Sequence, residues 1–454
     1  MALQTATRID DAPVAEAEAG YPARRVAWWT VAVLTVLSCL SLLDRQIMAL
    51  LIPDIRRDLG LTDFQMGLLQ GVVFSLFYVT FGLLFGWIID RFSRRGVVYA
   101  GVSFWSLATA ACGLASNFFQ LMLARFGVGA GEAALNPAAY SIISDSFPKR
   151  RLSFALSVFG AGTYIGVGVS LLLGGFLISA FPKGGVDVPL LGHLSAWRAV
   201  FLAAGLPGVL IALLIWTMTD PPRRERLAGP STSIGDTVRY VRTHWRFYIG
   251  HFLGNAMLAS CGYGFQVWSP TFLLRKFEIK ITEVVSILAP ISVIGGVAGG
   301  LMAGWVADRL FARGVKDAHL RYFIVAGLAQ AVFLTLAMTA SRLEVFVVFL
   351  LLSNLMSGYA GVGPAALQLV TPNNYRGQVS AAFLFTTSLL GTGLGPTLVG
   401  AFTTYLFHDD GKVGWAIALN AIIAAPLAAL LFTFALKPMR EAVAQVGQRS
   451  SAGA

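Results

Sequence analysis

Hydrophobic runs of about 20 residues or more recur along almost the whole chain, with short polar segments between them. A helix of that length crosses the roughly 30 Å hydrocarbon layer of a membrane, and the runs are too long for the strands of a transmembrane barrel. Because a backbone in lipid must satisfy its hydrogen bonds internally, helices are the expected spanning element. The pattern predicts twelve transmembrane helices, at residues 27–52, 65–89, 97–115, 118–144, 153–180, 199–219, 246–274, 283–307, 321–340, 343–370, 376–402 and 413–436.

One long polar connector divides these spans into two groups of six. It begins at Asp220 and includes a short amphipathic stretch from Ile234 to His244. The first 26 residues are polar and lack the basic and apolar regions of a cleaved signal, so we expect a cytoplasmic tail there. The predicted organisation is a tail, an N-lobe, a linker, a C-lobe and a second cytoplasmic tail, at residues 1–26, 27–219, 220–245, 246–436 and 437–454.

A weak internal repeat relates the two groups of spans. The segment 86–95, with sequence G-W-I-I-D-R-F-S-R-R, is echoed 218 residues later by G-W-V-A-D-R-L-F-A-R at 304–313. Pro148, before the fifth span, has a counterpart in Pro372 before the eleventh. A duplicated six-helix unit explains both correspondences, so we predict an all-α membrane protein with two pseudo-symmetric lobes.

The distribution of positive charges indicates the membrane topology and does not indicate a polyanionic partner. The formal net charge is +11, although only 13% of the 454 residues are charged and 56% are hydrophobic. The tails and the loops on their side contain 23 Lys and Arg residues, whereas the alternate loops contain 9. By the positive-inside rule both termini are cytoplasmic, in what we take to be the plasma (inner) membrane, and no nucleic-acid partner is expected. The three cysteines lie inside apolar runs, so no disulfide framework or metal site is expected.

The predicted fourth span carries two charges in its body. Arg125 and Glu132 are seven residues apart, about two helical turns, so they share a face that Asn136 and Tyr140 extend. A charge at the bilayer centre costs about 2.5 to 3.5 kcal/mol on insertion scales, so such residues need partners or a water-filled path. We therefore interpret this span as the functional helix.

A motif of the pattern G-x-x-x-D-R-x-x-R-R follows the second span, and part of it recurs in the second half. Gly86 and Gly304 would let another helix approach closely, whereas an ordinary positive-inside loop would explain only the arginines. The motif resembles the signature of the major facilitator superfamily. That resemblance implies two six-helix lobes around a central cavity, alternating access, and a cytoplasmic gate formed by Gly86, Asp90, Arg91, Arg94, Arg95, Gly304, Asp308 and Arg309.

Two further stretches resemble the Spinster family of lysolipid and sphingosine-phosphate transporters. The first span carries Asp44 and Arg45, with Ser41 in place of the family's Asn, and the fourth carries Gly129-Ala-Gly-Glu-Ala. Symporters of sugar acids have a similar D-R and G-E-A pair. The resemblance therefore implies either an amphipathic phosphate or a small organic anion as substrate.

The four intramembrane charges form a candidate proton relay. In the fold that the chain resembles, the first and fourth spans are neighbours, so Asp44, Arg45, Arg125 and Glu132 can neutralise one another. Protonating a carboxylate would release its arginine and change which arrangement of the lobes is favoured. Our hypothesis is that Asp44 or Glu132 takes the proton, and that Arg125 is the switched partner and the phosphate anchor. A static ion pair that holds the N-lobe together is the alternative.

Neutral polar residues in the later spans are weaker candidates for the wall of the cavity. For each of them, helix packing or a hydrogen bond to a neighbour explains the residue about equally well. No Lys or Arg lies in the bodies of the last six spans, which suits an amphiphile whose charged head meets the N-lobe. Together with Asn136 and Tyr140, the candidates are Asn255, Tyr263, Gln266, Asn354, Tyr359, Thr386 and Asn420.

The sequence predicts a proton-coupled secondary transporter of a lysolipid or sphingoid phosphate, with a proton symporter of small organic anions as the alternative. A membrane enzyme or receptor is the rival class. Neither the nucleotide loop G-x-x-x-x-G-K-[ST] nor the metalloprotease motif H-E-x-x-H occurs in the chain, so we expect no enzyme activity. We expect no cofactor, the proton as the coupling ion, and a monomer in the lipid bilayer.

Overall fold

The computed structural model describes residues 21–189, 191–223, 233–372 and 374–452. It does not describe the side chains of residues 149, 150, 153, 359–361 and 445–452. Most of the predicted N-terminal tail and the middle of the predicted linker lie outside the described residues. Each of the twelve predicted spans falls on helix in the part of the chain that is described.

The N-lobe contains six spans and one short surface helix. The capping box of Thr62 and Gln65 begins the second span. At the start of the fourth span, the Asn117 side chain accepts a hydrogen bond from the backbone N–H of Gln120. The fourth span is interrupted at residues 133–134. The helices are α1 Arg24–Leu50, α2 Ile52–Leu59, α3 Asp63–Ile89, α4 Arg94–Cys112, α5 Phe118–Glu132, α6 Leu135–Ser146, α7 Lys149–Ala180 and α8 Ala196–Thr217.

The C-lobe follows a short linker helix and again contains six spans. Its fourth span is also interrupted, at residues 357–358, so the break recurs in both lobes. The last helix continues to residue 452, well beyond the predicted end of the twelfth span at 436. The helices are α9 Ile234–Thr243, α10 Trp245–Lys276, α11 Ile281–Ala312, α12 Ala318–Thr339, α13 Leu343–Met356, α14 Tyr359–Val370, α15 Arg376–Phe407 and α16 Val413–Ala452.

Length and composition agree with a membrane protein. Within the described residues, eight helices are long and apolar enough to cross a bilayer, and the shorter helix α13 is also apolar. A small antiparallel hairpin of β1 Val186–Val188 and β2 Gly192–Leu194 was not predicted; it lies in the loop before α8. We call the side of the molecule with this hairpin the hairpin face, and the opposite side, with the linker helix α9 and the start of α1, the linker face.

The two lobes touch each other along the half of the molecule near the hairpin face. Helix α3 packs on α15 so closely that a Cβ atom at Gly71 would lie 2.2 Å from the Gly393 carbonyl oxygen. Helix α7 packs on α11, where the ring of Tyr164 contacts Gly296. Toward the linker face, a Cβ atom at Gly86 or Gly304 would have no atom of another element within 4 Å. The cleft between the lobes therefore opens to the linker face.

Both helices of the first contact are π-wound where they meet. The π-helical segments are Leu69–Val73 in α3 and Thr387–Gly393 in α15, and they contact each other. Beside them, the hydroxyl groups of Ser75 and Thr392 are 3.2 Å apart across the lobe boundary. Such segments occur mostly at functional sites, because the wider turn redirects side chains and frees backbone groups.

Candidate functional site

The four intramembrane charges lie together in the N-lobe, as the sequence predicts. Arg45 of α1 donates from Nη2 and Nε to Glu132 Oε2 of α5, at 2.6 and 2.9 Å. Ser41, one turn earlier on α1, donates to the same oxygen at 2.6 Å. The second oxygen of Glu132 has no hydrogen-bond partner among the described residues. This contact confirms that the first and fourth spans are neighbours.

Arg125 has a neutral partner on another helix. It donates to Gln70 Oε1 of α3 at 3.1 Å. Its guanidinium lies 5.2 Å from the centre of the Phe74 ring, and the guanidinium of Arg45 lies 4.4 Å from the centre of the same ring. One aromatic side chain of α3 therefore contacts both cations, and each contact stabilises the cations through the electron-rich ring face.

Asp44 is buried beside this pair without an ion partner at hydrogen-bond distance. Asp44 is 1% exposed, and no charged group of the described residues is hydrogen-bonded to either carboxylate oxygen. Its neighbours are the hydroxyl of Thr109 and the charged groups of Glu132, Arg125 and Arg45. An unpaired carboxylate at this depth is costly in its ionised form.

Only Arg45 of the four charged residues is partly exposed. Its side chain is 24% exposed, whereas Asp44, Arg125 and Glu132 are each 1% exposed. Arg45 also lies near the Tyr263 side chain of α10, across the lobe boundary, and 5.2 Å from the Tyr78 ring centre. In this conformation Arg45 is therefore the cation of the cluster that solvent reaches, while Arg125 is buried, and the role of Arg125 as anchor stays a prediction.

Two of the neutral candidates border a small cavity of about 20 Å³ between the lobes. Gln266 of α10 and Asn354 of α13 line it, together with Gln46 of α1, and Asn354 also donates to the Leu350 carbonyl at 3.1 Å. Ser269 and Ser292 add hydroxyl groups to the same wall. Neutral hydrogen-bonding side chains thus converge one residue away from Arg45 along α1.

Two N-lobe candidates lie near the charge cluster. Asn136 donates to the Tyr78 hydroxyl at 2.8 Å, and Tyr140 is exposed with its ring edge against Phe159. Tyr78 thus connects the Asn136 amide with the Arg45 guanidinium. Sequence reasoning missed Tyr78, Phe74 and Gln70, because a single aromatic or amide residue in an apolar span has no pattern of its own.

The remaining C-lobe candidates make hydrogen bonds within their own lobe. Asn255 is buried and donates to the His251 carbonyl at 2.9 Å, and Asn420 is buried and donates to the Ser260 carbonyl at 3.1 Å. Thr386 donates to the Ala382 carbonyl of its own helix. These contacts favour packing roles for Asn255, Asn420 and Thr386 over a place on the cleft wall. The side chain of Tyr359 lies outside the described residues.

Arg94, expected at the cytoplasmic gate, is instead buried inside the N-lobe. It is 1% exposed and binds the carboxylates of Asp145 and Asp220 and the hydroxyl of Ser141. It therefore joins the start of α4 to α6 and to the segment after α8. A buried guanidinium with two carboxylates serves the packing of one lobe in this conformation, and the gate role of Arg94 stays a prediction.

The other predicted gate residues stay within their own lobes in this conformation. Arg91 lies over the Trp87 ring at 4.0 Å, Arg95 donates to the Met218 carbonyl at 2.9 Å, and Arg309 lies over the Trp305 ring at 5.4 Å. These positions fit a cleft that is open at the linker face. The gate role of Gly86, Asp90, Arg91, Arg95, Gly304, Asp308 and Arg309 stays a prediction, since it concerns the closed state.

An ion network that the sequence did not reveal closes the hairpin face. Arg275 at the end of α10 donates to both oxygens of Asp63, at 2.7 and 2.9 Å, and Arg56 of α2 contacts Asp63 at 3.0 Å. Arg56 also reaches Asp410, before α16, at 2.8 Å. Asp63 is completely buried. Because Asp63 and Arg275 are 212 residues apart, neither spacing nor the internal repeat pairs them.

Two six-helix lobes around a charged cleft, closed at one face and open at the other, define a membrane transporter. The family model described as "Major Facilitator Superfamily" matches residues 34–396, and the chain belongs to this family. The fold and the family are those of transporters rather than enzymes, as the sequence predicts.

Curated relatives of several kinds are similar to the chain. An MFS-type efflux pump of Mycolicibacterium smegmatis is 29% identical over 88% of this chain and 90% of the relative. A probable galactarate/D-glucarate transporter of Bacillus subtilis is 25% identical over 88% of this chain and 90% of the relative. Protein spinster homolog 1 of Xenopus laevis is 27% identical over 82% of this chain and 72% of the relative. The chain is thus related to Spinster proteins and to sugar-acid transporters, and both expected resemblances are confirmed.

A solved structure shares the fold. The bacterial homolog to the human lysosomal transporter Spinster, in an inward-facing and unoccupied conformation, superposes with a TM-score of 0.76. It is 23% identical, and the match covers 92% of this chain and 98% of that one. This likeness confirms the all-α transporter fold.

Proposed function

We propose that the protein is a proton-coupled secondary transporter that moves an amphiphilic anion, a lysolipid or sphingoid phosphate, by alternating access. The observation that carries the proposal is the position of Arg45: it is partly exposed to the cleft, yet its guanidinium is bonded to the buried carboxylate of Glu132. A substrate anion and Glu132 would therefore compete for the same cation.

This competition supplies a coupling mechanism. When a phosphate or carboxylate of the substrate binds Arg45, Glu132 loses its partner while it stays buried. A buried carboxylate without a cation is stable only in its protonated form, so substrate binding favours proton uptake at this site. Asp44, already without an ion partner at hydrogen-bond distance, is the second proton site of the proposal. Arg125 stays with Gln70 and Phe74 and tunes both carboxylates by its charge.

The surroundings of Arg45 support an amphiphile. The rings of Phe74 and Tyr78 flank its guanidinium, so an anion reaches the cation past an apolar wall. The bodies of the C-lobe spans contain no Lys or Arg, which leaves an uncharged wall for an alkyl tail. The cleft also stays open at the linker face, where a tail could extend during binding.

A second candidate is a small hydroxylated anion such as a sugar acid. It is favoured by neutral polar side chains that lie together between the lobes, because such side chains suit several hydroxyl groups; they are Gln46, Gln266, Ser269, Ser292 and Asn354. The similarity to a probable galactarate/D-glucarate transporter supports the same candidate.

The positive charge of the linker-face loops supports a cytoplasmic linker face, and the described conformation is then the inward-open one. In the transport cycle the ion network at Asp63 would break as the hairpin face opens. The predicted gate residues of the repeated motif would come together as the linker face closes. Monomeric function and the plasma membrane remain parts of the proposal.

Flux measurements in proteoliposomes test the function. A lysophospholipid, a sphingoid phosphate and a hexuronate are compared with and without an imposed pH gradient, for the wild type, Glu132→Gln and Asp44→Asn. The matched control is Glu344→Gln, which removes an exposed carboxylate from the C-lobe surface.

We expect lipid flux that follows the pH gradient in the wild type and in the control, and that loses this dependence in Glu132→Gln. Hexuronate flux alone would replace the lipid substrate with the second candidate. If folded Glu132→Gln and Asp44→Asn proteins kept gradient-driven flux, the ion pair would be static and the coupling mechanism would be rejected.

A further inference from the structure

The linker helix α9 has one face on the protein and two faces exposed. Its packed face consists of Thr237, which is buried, and Tyr240, whose hydroxyl donates to the Val370 carbonyl at 2.8 Å. The Tyr240 ring also stacks on Tyr375, with ring centres 4.8 Å apart and planes 15° apart. These contacts fix the helix against the turn between α14 and α15.

One exposed face is an apolar stripe that continues into the membrane span. Ile234 and Val238 are four residues apart, so they share a side of α9, and they are 74% and 50% exposed. At the start of α10, Trp245 and Ile249 are also exposed. Since α10 is a membrane span, the outward-facing residues at its start mark the level at which the stripe meets lipid.

The other exposed face is basic. Arg239 and Arg242 are three residues apart on α9, and Arg246 follows on α10, where its guanidinium lies 5.6 Å from the Trp245 ring centre. All three arginines are exposed, and among the charges of 234–246 only Asp236 opposes them, with a contact of 3.4 Å to Arg239. The basic face borders the apolar stripe along its length.

We propose that α9 and the start of α10 form a binding surface for the headgroup of an anionic membrane lipid. The apolar stripe of Ile234, Val238, Trp245 and Ile249 lies in the acyl region, and Arg239, Arg242 and Arg246 meet the phosphate. A helix with an apolar side, a flanking Trp and a basic side is the arrangement that binds an anionic interface. Continuity with a lipid-facing surface and charge complementarity both favour a lipid over a soluble anion or a protein.

Lipid bound here acts on the transport fold through Tyr240. This residue contacts Val370 at the end of α14 and Tyr375 at the start of α15, and α15 forms the cross-lobe contact with α3. An occupied lipid site therefore restrains the turn that precedes α15. The proposal is independent of the transported substrate.

The binding test uses purified full-length protein in nanodiscs of phosphatidylcholine alone, or of phosphatidylcholine and phosphatidylglycerol in equal parts. Amide hydrogen exchange of residues 234–246 and the apparent affinity for added phosphatidylglycerol are measured. The variant Arg239→Gln/Arg242→Gln is compared with Arg313→Gln/Lys316→Gln, which removes two cations from another loop on the linker face.

We expect phosphatidylglycerol to slow exchange in 234–246, and the first variant to bind it roughly thirtyfold more weakly, while the second binds as the wild type does. Equal affinity in both variants and the wild type would overturn the proposal. So would equal exchange in the two lipid compositions, a comparison that needs only the wild-type protein. Competition by inorganic phosphate at similar concentration would assign the site to a soluble anion instead.

Discussion

Arg275 donates to both carboxylate oxygens of Asp63, at 2.7 and 2.9 Å, and so joins the C-lobe to the N-lobe at the hairpin face. The fork of the guanidinium matches the two oxygens of the carboxylate, and Asp63 is completely buried. Without Arg275, the buried carboxylate of Asp63 would keep only one cation, Arg56, in place of two. The pair is therefore a strong constraint on the conformation that is open at the linker face.

Arg275→Gln should shift the protein toward a conformation that is open at the hairpin face. The reason is that Asp63 would keep only Arg56 and would be solvated more readily with the lobes apart. Spin labels at Lys183 and Arg342, exposed hairpin-face positions in the two lobes, should report longer distances in the variant.

The control for this shift is Asp54→Asn, which breaks the exposed pair of Asp54 with Arg57 within α2. It should leave the distance distribution as in the wild type. Unchanged distances in folded Arg275→Gln would show that the ion network does not hold the hairpin face closed.

Gly71→Ala should disfavour the same closed face for a steric reason. The added methyl would lie 2.2 Å from the Gly393 carbonyl oxygen, and backbone there cannot move without separating α3 from α15. Thiol labelling of a cysteine placed at Ser292 should become faster from the hairpin face. Gly82→Ala is the matched control, because no other element lies near that position. Alanine there should favour the helix over glycine by about 1 kcal/mol, as it does at Gly71. Equal labelling in both variants would refute the steric argument.

Arg45→Ala should weaken substrate binding by about 100-fold or more, because it removes the exposed cation of the cluster and leaves Glu132 unpaired. Arg45→Lys keeps the charge but loses the two-donor contact to Glu132, so we expect intermediate binding. The affinity of the purified variants for the transported anion, measured by calorimetry, checks both. If Arg45→Ala bound the anion with wild-type affinity, another residue would be the anchor of the anion.

The hairpin face should lose stability in acid through Asp58. Partial burial would raise the pKa of this carboxyl, but hydrogen bonds from Trp197, Arg198 and Ser195 more than offset it and hold the pKa below its ordinary value. A lowered pKa in the folded state gives stability that is present above the unfolded pKa of about 3.9 and is lost as the pH falls through the folded pKa.

Thermal unfolding of the wild type and Asp58→Asn between neutral and acidic pH tests this contribution. The variant should be slightly less stable near pH 7, because solvent screens this partly exposed group, and the difference should shrink below about pH 4. A constant difference across the pH range would mean that Asp58 acts through packing alone.

The sequence predicted the spans well because membrane burial leaves a simple signal. Residues such as Asp44 and Glu132 also stood out, since a charge in an apolar run is unexpected without a function. Their partners did not stand out. The spacing of Arg125 and Glu132 placed both on one helix face, but the structure pairs Glu132 with Arg45, and Arg125 with Gln70. Spacing describes a single helix, whereas these contacts depend on how three helices pack.

Contacts between the lobes were the least predictable part. Asp63 looked like an ordinary acidic residue at a helix start, after Thr62, and Arg275 looked like a charge at a helix end. Their contact depends on the relative position of the two lobes, which no local pattern around either residue describes.

The π-helical segments at the lobe contact have a mechanical consequence for the charge cluster. A π-wound turn holds one residue more than an α-turn, so rewinding Leu69–Val73 as α-helix would advance the register of α3 by one residue and turn the remainder of the helix by about 100°. Phe74 is the first residue after that segment, and it contacts both Arg45 and Arg125. A single change of winding would thus move this ring away from the two cations. Helix α3 would in this way couple a change at its contact with α15 to the site where the anion binds.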